Sequence, residues 1–236
     1  MIKETVTVSA GSQAREEARA AAAKPLTAYR VFWLFLMAGF AGDLIEVVFW
    51  WVTRGELTSR SSLLYGPFSL VWGIAAVLLT LVFQRMTDQG AVHVVLMGTV
   101  LGGAYEYICS WVQEALFGAC FWDYRHLPLN LNGRINLIFC LFWGFAALVW
   151  VRLAFPAMCA LIDRVPRRTG RRAAAAAAVL LACSAAVSAA ALYRMDQRRA
   201  GVPAMGAVTR FLDETYPDSR LKDRYPNMGF LDEIGW

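Results

Sequence analysis

The sequence predicts an all-α fold, a polytopic membrane helix bundle with about five transmembrane helices. Of its 236 residues, 58% are hydrophobic and only 17% are charged, whereas a soluble domain is nearer half apolar and a quarter charged. The apolar residues fall into blocks of about 20, which is the length that a helix needs to cross a bilayer. The lipid bilayer is therefore the first partner that we expect.

Five apolar segments predict five membrane-spanning helices within one transmembrane domain, 28–193. A polar N-terminal tail, 1–27, is expected before this domain, and a polar C-terminal tail, 194–236, after it. The fifth segment is rich in alanine, which favours membrane insertion less than leucine or phenylalanine does. In chain order the segments are 28–52, 67–83 (extended by Leu63 and Leu64), 91–117, 135–155 and 173–193.

Positive charges beside the apolar segments predict the orientation in the cell membrane. The linker 164–172 contains VPRRTGRR and carries five arginines, and short cytoplasmic loops of membrane proteins are rich in such residues. Counting crossings from this linker places the N-terminus in the cytoplasm and the C-terminus outside. Arginines at 194, 198 and 199 argue against this orientation. The net charge of +5 is explained by these flanking clusters, so nucleic acid is not an expected partner.

Three carboxylates inside the predicted spans are the first candidates for a functional role. Asp43 and Glu46 lie in the late half of the first span, and Glu106 lies near the middle of the third. A charge at the centre of a membrane helix costs about 3 kcal/mol on insertion scales, so it usually faces a cavity or a partner. Gly39 and Gly42 share a helical face with the first two acids and would let another helix approach closely.

The densest set of polar residues lies between two apolar segments, in CFWDYRHLPLNLNGRIN (120–136). If the first four segments all cross, alternation brings this loop, the loop 53–66 and the carboxylates toward one side of the membrane. Glu114, near the end of its span, is expected to be interfacial. The sequence therefore predicts a one-sided polar cavity formed by Asp43, Glu46, Tyr65, Glu106, Trp122, Asp123, Tyr124, Asn130 and Arg134.

Arg134 is expected to enter this cavity and to pair with Glu46, Glu106 or Asp123. A guanidinium can donate two parallel hydrogen bonds to a carboxylate, which makes arginine the fitting partner for a buried acid. Arg125 is the second candidate for this role.

Simpler roles remain open for several members of the predicted cluster. Trp122 and Tyr124 suit the aromatic belt at a membrane interface. Asn130 could cap the start of the fourth span, and Tyr65 could belong to a turn before Pro67.

Metal and cofactor chemistry is not expected. The five cysteines are scattered, mostly within apolar segments, the chain has two histidines, and there is no Cys-X-X-Cys pair. Structural metal sites usually need such clusters of cysteine and histidine.

The polar residues of the predicted spans and loops lie in a series of spaced motifs: GFAGDLIEVVF (39–49), LLYGPFSLVWG (63–73), YEY with WVQEALFGACFWDYRHLPLNLNGRINL (within 105–137), and FWG (142–144). In these motifs the sequence resembles the bacterial CmpB-type family of ABC-transporter type IV permeases. The resemblance covers about half of the chain and implies a membrane subunit that works with a separate ATPase. The chain itself contains no Gly-x-x-x-x-Gly-Lys-Ser/Thr phosphate loop.

Three functions follow as hypotheses. The first is a transporter membrane subunit that binds an ATPase through the basic region 152–172 and forms a homodimer, since five helices enclose little volume. The second is an intramembrane enzyme acting on a lipid, with Glu106 as general base and Arg134 as anion clamp. The third is a scaffold in which the polar cluster only locks the helices together. No nucleophile–base pair is recognisable, which disfavours the enzyme.

Overall fold

The computed structural model describes residues 10–84 and 89–234 and confirms an all-α membrane bundle. Four helical stretches in this part of the chain are long and apolar enough to cross a bilayer: Ala28–Arg54, Ala91–Phe117, Leu137–Arg164 and Arg167–Arg199. The helices are α1 (Ala10–Ala22), α2 (Ala28–Arg54), α3 (Leu70–Phe83), α4 (Ala91–Phe117), α5 (Leu137–Val149), α6 (Phe155–Arg164), α7 (Arg167–Arg199), α8 (Ala207–Thr215), α9 (Asp218–Arg224) and α10 (Leu231–Ile234).

The second predicted segment forms a shorter helix than expected, whereas the fourth and fifth end later than expected, at Arg164 and Arg199. The helix of the second segment, α3, begins only at Leu70 and has 14 residues, which at 1.5 Å per residue is about 21 Å against a hydrocarbon core of about 30 Å. Residues 67–69 stay outside the helix, because the Ser69 hydroxyl accepts a hydrogen bond from Trp72 N and so starts it there. The expected count of about five spans thus corresponds to four long helices and one short one.

The second and third long helical stretches end or bend at identifiable places. α4 stops at Gly118, whose positive φ of 59° ends the helix at little steric cost to a residue without a side chain. α5 continues into α6 through one π-helical turn, Trp150–Ala154, which makes a single span of Leu137–Arg164. Such single turns are a common local distortion of long helices.

One end of the bundle, which we call the N-terminal end, is held by a buried arginine. The guanidinium of Arg30, 1% exposed, donates to Asp163 Oδ1 at 2.6 Å and to the carbonyl of Ala21 at 2.8 Å. Lys24 binds the second oxygen of Asp163 at 2.7 Å. These contacts join α1, the start of α2 and the end of α6.

The opposite end, which we call the loop end, carries the α2–α3 and α4–α5 loops and the C-terminal segment 200–234. Strand β1 (Ala119–Cys120) pairs antiparallel with β4 (Gly229–Phe230). A second small ladder joins β2 (Asn130–Leu131) to β3 (Ile135–Asn136) inside the α4–α5 loop. An apolar cluster beneath β4 includes Leu192, Tyr216 and Leu221.

Arg224 ties the C-terminal segment to the loop between α2 and α3. Its guanidinium donates to the carbonyl oxygens of Leu63 at 2.8 Å and Gly66 at 2.7 Å, and to the hydroxyl of Ser59 at 3.0 Å. The C-terminal segment therefore folds onto the bundle, and α1 and this segment lie at opposite ends of it.

The position of the two tails leads to a labelling prediction. Cysteines placed at exposed Ala20 and Met205, in a background from which the natural cysteines have been replaced, should react with a membrane-impermeant maleimide from opposite sides of sealed vesicles. Both should react after detergent solubilisation. Labelling of both positions from one side would contradict an odd number of crossings.

A second prediction concerns acid stability of the C-terminal segment. Asp213 accepts from Arg194 at 2.8 Å and Arg198 at 2.6 Å, and these hydrogen bonds, Arg194 first, lower its pKa from 3.8 to about 2. A lowered pKa stabilises the folded state fully above pH 3.8, and this contribution disappears as the pH falls toward 2. Hydrogen exchange in α8 should rise over that window, and Asp213→Asn should remove the dependence. An unchanged acid profile in the variant would contradict this assignment.

Candidate functional site

Polar residues of α2, α3 and the loop between them meet at Glu46. Its Oε1 accepts from the indole nitrogen of Trp72 at 2.6 Å, and its Oε2 accepts from Nε of Arg60 at 3.1 Å. The Arg60 guanidinium also lies 4.8 Å from the ring centroid of Trp50, within the range of a cation–π contact. Glu46 therefore holds a cation that lies against an aromatic ring.

Glu106 has a closely similar environment, but among the described residues it has no cationic partner. It is 7% exposed; its Oε2 accepts from the indole nitrogen of Trp143 at 3.1 Å and its Oε1 from the hydroxyl of Tyr124 at 2.8 Å. Burial and the neighbouring Glu106 raise the pKa of Tyr124, so this hydroxyl keeps its proton and donates. No ion pair to Glu106 exists within residues 10–84 and 89–234.

The two tryptophans join the carboxylates into one cluster. The rings of Trp72 and Trp143 have centroids 5.3 Å apart at an angle of 35°. Tyr105 packs edge-on against Trp143 at 6.0 Å and donates its hydroxyl proton to the carbonyl of Val71 at 2.8 Å. We call Glu46, Trp72, Glu106, Tyr124 and Trp143 the central cluster; it links four helices and the α4–α5 loop.

Asp43 is the most unusual acid beside this cluster. It is 3% exposed, lies one helical turn before Glu46, and its Oδ1 is buried without a hydrogen-bond partner. A buried polar atom without a partner usually marks strain, a functional role or an absent water or ion. Asp43 is therefore a candidate functional residue, although it makes no hydrogen bond to the central cluster.

The prediction for the partner of Arg134 was wrong. The guanidinium of Arg134 pairs with Glu114 and donates to Ser110 Oγ at 3.2 Å, rather than joining Glu46, Glu106 or Asp123. The cause is the tight turn at Asn132 and Gly133, both at positive φ, from which the side chain runs along the last turns of α4. Glu114 is accordingly half-buried and paired, not merely interfacial.

The acid and base of the α4–α5 loop pair with each other. Asp123 binds Arg125 at 2.6 Å, and this hydrogen bond lowers the pKa of the carboxyl group. Both side chains are about one-third exposed. Arg125 therefore stays in the loop, outside the central cluster.

The remaining predicted residues hold the loops in place. Trp122 donates its indole proton to the carbonyl of Arg134 at 2.9 Å, and Asn130 accepts from Gly133 N at 3.0 Å. The helix cap suggested for Asn130 is instead made by Asn136, whose side chain accepts from Ile138 N at 2.9 Å. The Tyr65 hydroxyl lies 2.7 Å from that of Tyr216 in the C-terminal segment.

The structure thus brings together Glu46, Glu106 and Tyr124 from the predicted set. Sequence reasoning missed Trp72, Trp143 and Arg60 as members of the site. Tryptophan followed by glycine, at 72–73 and again at 143–144, was the available signal. Within the described residues no group of three or more His, Cys, Asp and Glu side chains is placed to hold a metal. The chemistry available to the central cluster is proton or cation binding by a carboxylate among aromatic rings.

The Arg134–Glu114 pair leads to a stability prediction. Arg134 is 8% exposed, and removing one partner of a buried ion pair costs about 3–5 kcal/mol. Arg134→Ala should lower the free energy of unfolding by that amount, measured by denaturant titration in detergent. Arg125→Ala is the matched control in the same loop, and should cost about 0–1 kcal/mol because its pair is exposed. Equal losses in both variants would refute the structural role of Arg134.

The comparisons with known proteins agree with the membrane architecture. A family model described as "Putative ABC-transporter type IV" matches residues 33–189, which includes the central cluster, the two loops beside it and most of α7. Neither a curated protein nor a solved structure shows significant similarity to the chain. Because the match covers well over half of its length, the chain belongs to the CmpB-type ABC-transporter type IV family.

Proposed function

We propose that this protein is the membrane subunit of an ABC transporter and that the central cluster belongs to its substrate pathway. The observation that carries the proposal is Glu106, a carboxylate that is 7% exposed inside a membrane-spanning helix. Ionisable groups at such positions are costly, and they mark substrate or ion pathways. Family membership supports transport as the process.

The hydrogen bonds of Glu106 suit a pathway that opens and closes. Its donors come from two different places, Tyr124 in the α4–α5 loop and Trp143 on α5. Relative movement of these elements would break hydrogen bonds from neutral donors to the carboxylate, each worth about 1.5–3 kcal/mol, without separating a buried ion pair. The one-sided polar cavity expected from the sequence would form when the loop end opens.

The proposed surface for the ATPase is the start of α7, on the cytoplasmic side by our assignment. Arg167, Arg168, Arg171 and Arg172 line an open depression there. Positive charges at a helix N-terminus are opposed by the helix dipole, so an acidic partner surface would stabilise them. We further propose a homodimer, because one bundle of this size encloses little volume for a substrate.

The enzyme hypothesis is weakened because its two proposed groups are held by different partners. Arg134, the proposed anion clamp, is held by Glu114, whereas Glu106, the proposed base, is held by Tyr124 and Trp143. A reacting group would have to contact both side chains at once. The geometry favours Glu106 as a binding group.

Purification from native membranes tests the transporter proposal. A protein with a phosphate-loop ATPase motif should copurify in a fixed ratio, and replacing the four arginines of the depression with glutamine should abolish its recovery. Arg15→Gln with Arg19→Gln, on exposed positions of α1, is the matched control. Maleimide labelling at position 205 must show that the orientation is unchanged. Recovery of lipid alone, or an ATPase retained by the four-arginine variant, would contradict the assigned partner or its surface.

A further inference from the structure

The helices α2 and α4 carry several identical residues at the same spacing. Aligning 36–52 with 96–112 pairs Leu-Met with Leu-Met at the start and Trp-Val with Trp-Val at the end. Between these ends Gly42 matches Gly102, and Glu46 matches Glu106. The two carboxylates of the central cluster are therefore equivalent positions of a repeated helix.

The helices α3 and α5 repeat one another in the same way. FSLVWG (68–73) aligns with FCLFWG (139–144), and Ala-Ala follows one residue later in both. The two tryptophans of the central cluster are again equivalent positions. The chain thus contains one helical hairpin twice, with a longer loop in the second copy.

The contacts within each hairpin confirm the equivalence. A β-carbon at Gly42 would lie 2.1 Å from Trp72, and one at Gly102 would lie 2.3 Å from Trp143. In both hairpins the indole nitrogen then donates to the glutamate one turn further along, at 2.6 Å and 3.1 Å. The bare glycine lets the ring lie against the helix, and the carboxylate fixes its orientation.

The two copies differ in what satisfies the second carboxylate oxygen. In the first copy Arg60 supplies a guanidinium that also lies against Trp50. In the second copy the second oxygen accepts instead from the neutral hydroxyl of Tyr124. The ring of Tyr124 is stacked on that of Phe139, with centroids 4.8 Å apart. The first hairpin therefore contains its own cation, whereas none of the residues that the structure describes supplies one to the equivalent carboxylate of the second.

We propose that Glu106 binds the cationic group of a ligand, a guanidinium or a protonated amine, in the place that Arg60 takes beside Glu46. The inference rests on the proposed function, since the ligand would be the transported substrate. A carboxylate has about four lone-pair sites, and Glu106 uses two of them, so a cation can bind while Trp143 still donates.

The site is closed in this conformation, and the α4–α5 loop controls it. Tyr124 belongs to this loop, and its backbone nitrogen donates to the carbonyl of Gly133 at 2.8 Å. A ligand reaches the carboxylate when Tyr124 moves away from Glu106. In water-poor surroundings the Coulomb attraction between this carboxylate and a cation is stronger than it would be at the surface.

Tryptophan fluorescence of the full chain in neutral lipid nanodiscs tests the proposal, because Trp143 touches the site. Methylguanidinium chloride, with ionic strength held constant by sodium chloride, should give a saturable change. Tetramethylammonium should bind more weakly, because it has no N–H to donate. A hydrogen bond to a charged group contributes about 1.5–3 kcal/mol, so Glu106→Gln should weaken binding at least about tenfold. Glu56→Gln, at an exposed carboxylate in the loop between α2 and α3, is the control and should keep the response.

The outcomes separate this inference from its alternatives. A response that survives Glu106→Gln, or a signal that follows pH but not methylguanidinium and so reports a proton only, would overturn it. If Glu106→Gln does not fold, Glu106→Asp keeps the charge, withdraws it by one methylene and should still weaken binding. Recovery of the ATPase without any cation response would reject the ligand and leave the transporter standing. A cation response without recovery of an ATPase would reject the transporter and leave the ligand standing.

Discussion

The close approach of a tryptophan ring to a glycine on the neighbouring helix is the constraint on which the core of this bundle depends. At Gly42 and Gly102 the indole occupies space that any side chain would fill. Helices in a bilayer gain no hydrophobic energy from associating, so close packing over small residues and interhelical hydrogen bonds hold them together. Here one tryptophan provides both, through its ring and through its bond to a glutamate.

This arrangement also explains why the carboxylates can lie inside the membrane. Each indole nitrogen satisfies one oxygen of a glutamate, and the second oxygen is satisfied from a loop. Each of these two glutamates therefore accepts one hydrogen bond from a helix and one from a loop. Any motion of the loops changes the surroundings of an acid directly, which is how a site within the bundle can respond to events at its surface.

The sequence predicted the helices well and their side-chain partners only partly. Apolar length located the membrane helices, because crossing the bilayer sets a nearly fixed number of residues. The cost of a charge inside a membrane helix identified Glu46 and Glu106 as candidates. The dense set of polar residues in the loop 120–136 identified Tyr124. Arg134 was placed on the wrong acid, since a tight turn decides which way its side chain runs. The match between the two hairpins was hidden by their unequal loops, 55–69 and 118–136.

The contact of Arg224 with the α2–α3 loop has a consequence for how the bundle assembles. The carbonyl groups of Leu63 and Gly66 are synthesised 161 and 158 residues before the arginine that binds them. Domains generally fold from the N-terminus as the chain emerges, and contacts between distant parts of a chain form slowly. The helices α2 to α5 can therefore assemble before residues 200–234 are made, with the loop end left incomplete. The docking of this segment is a separate and later step, which completes the loop end.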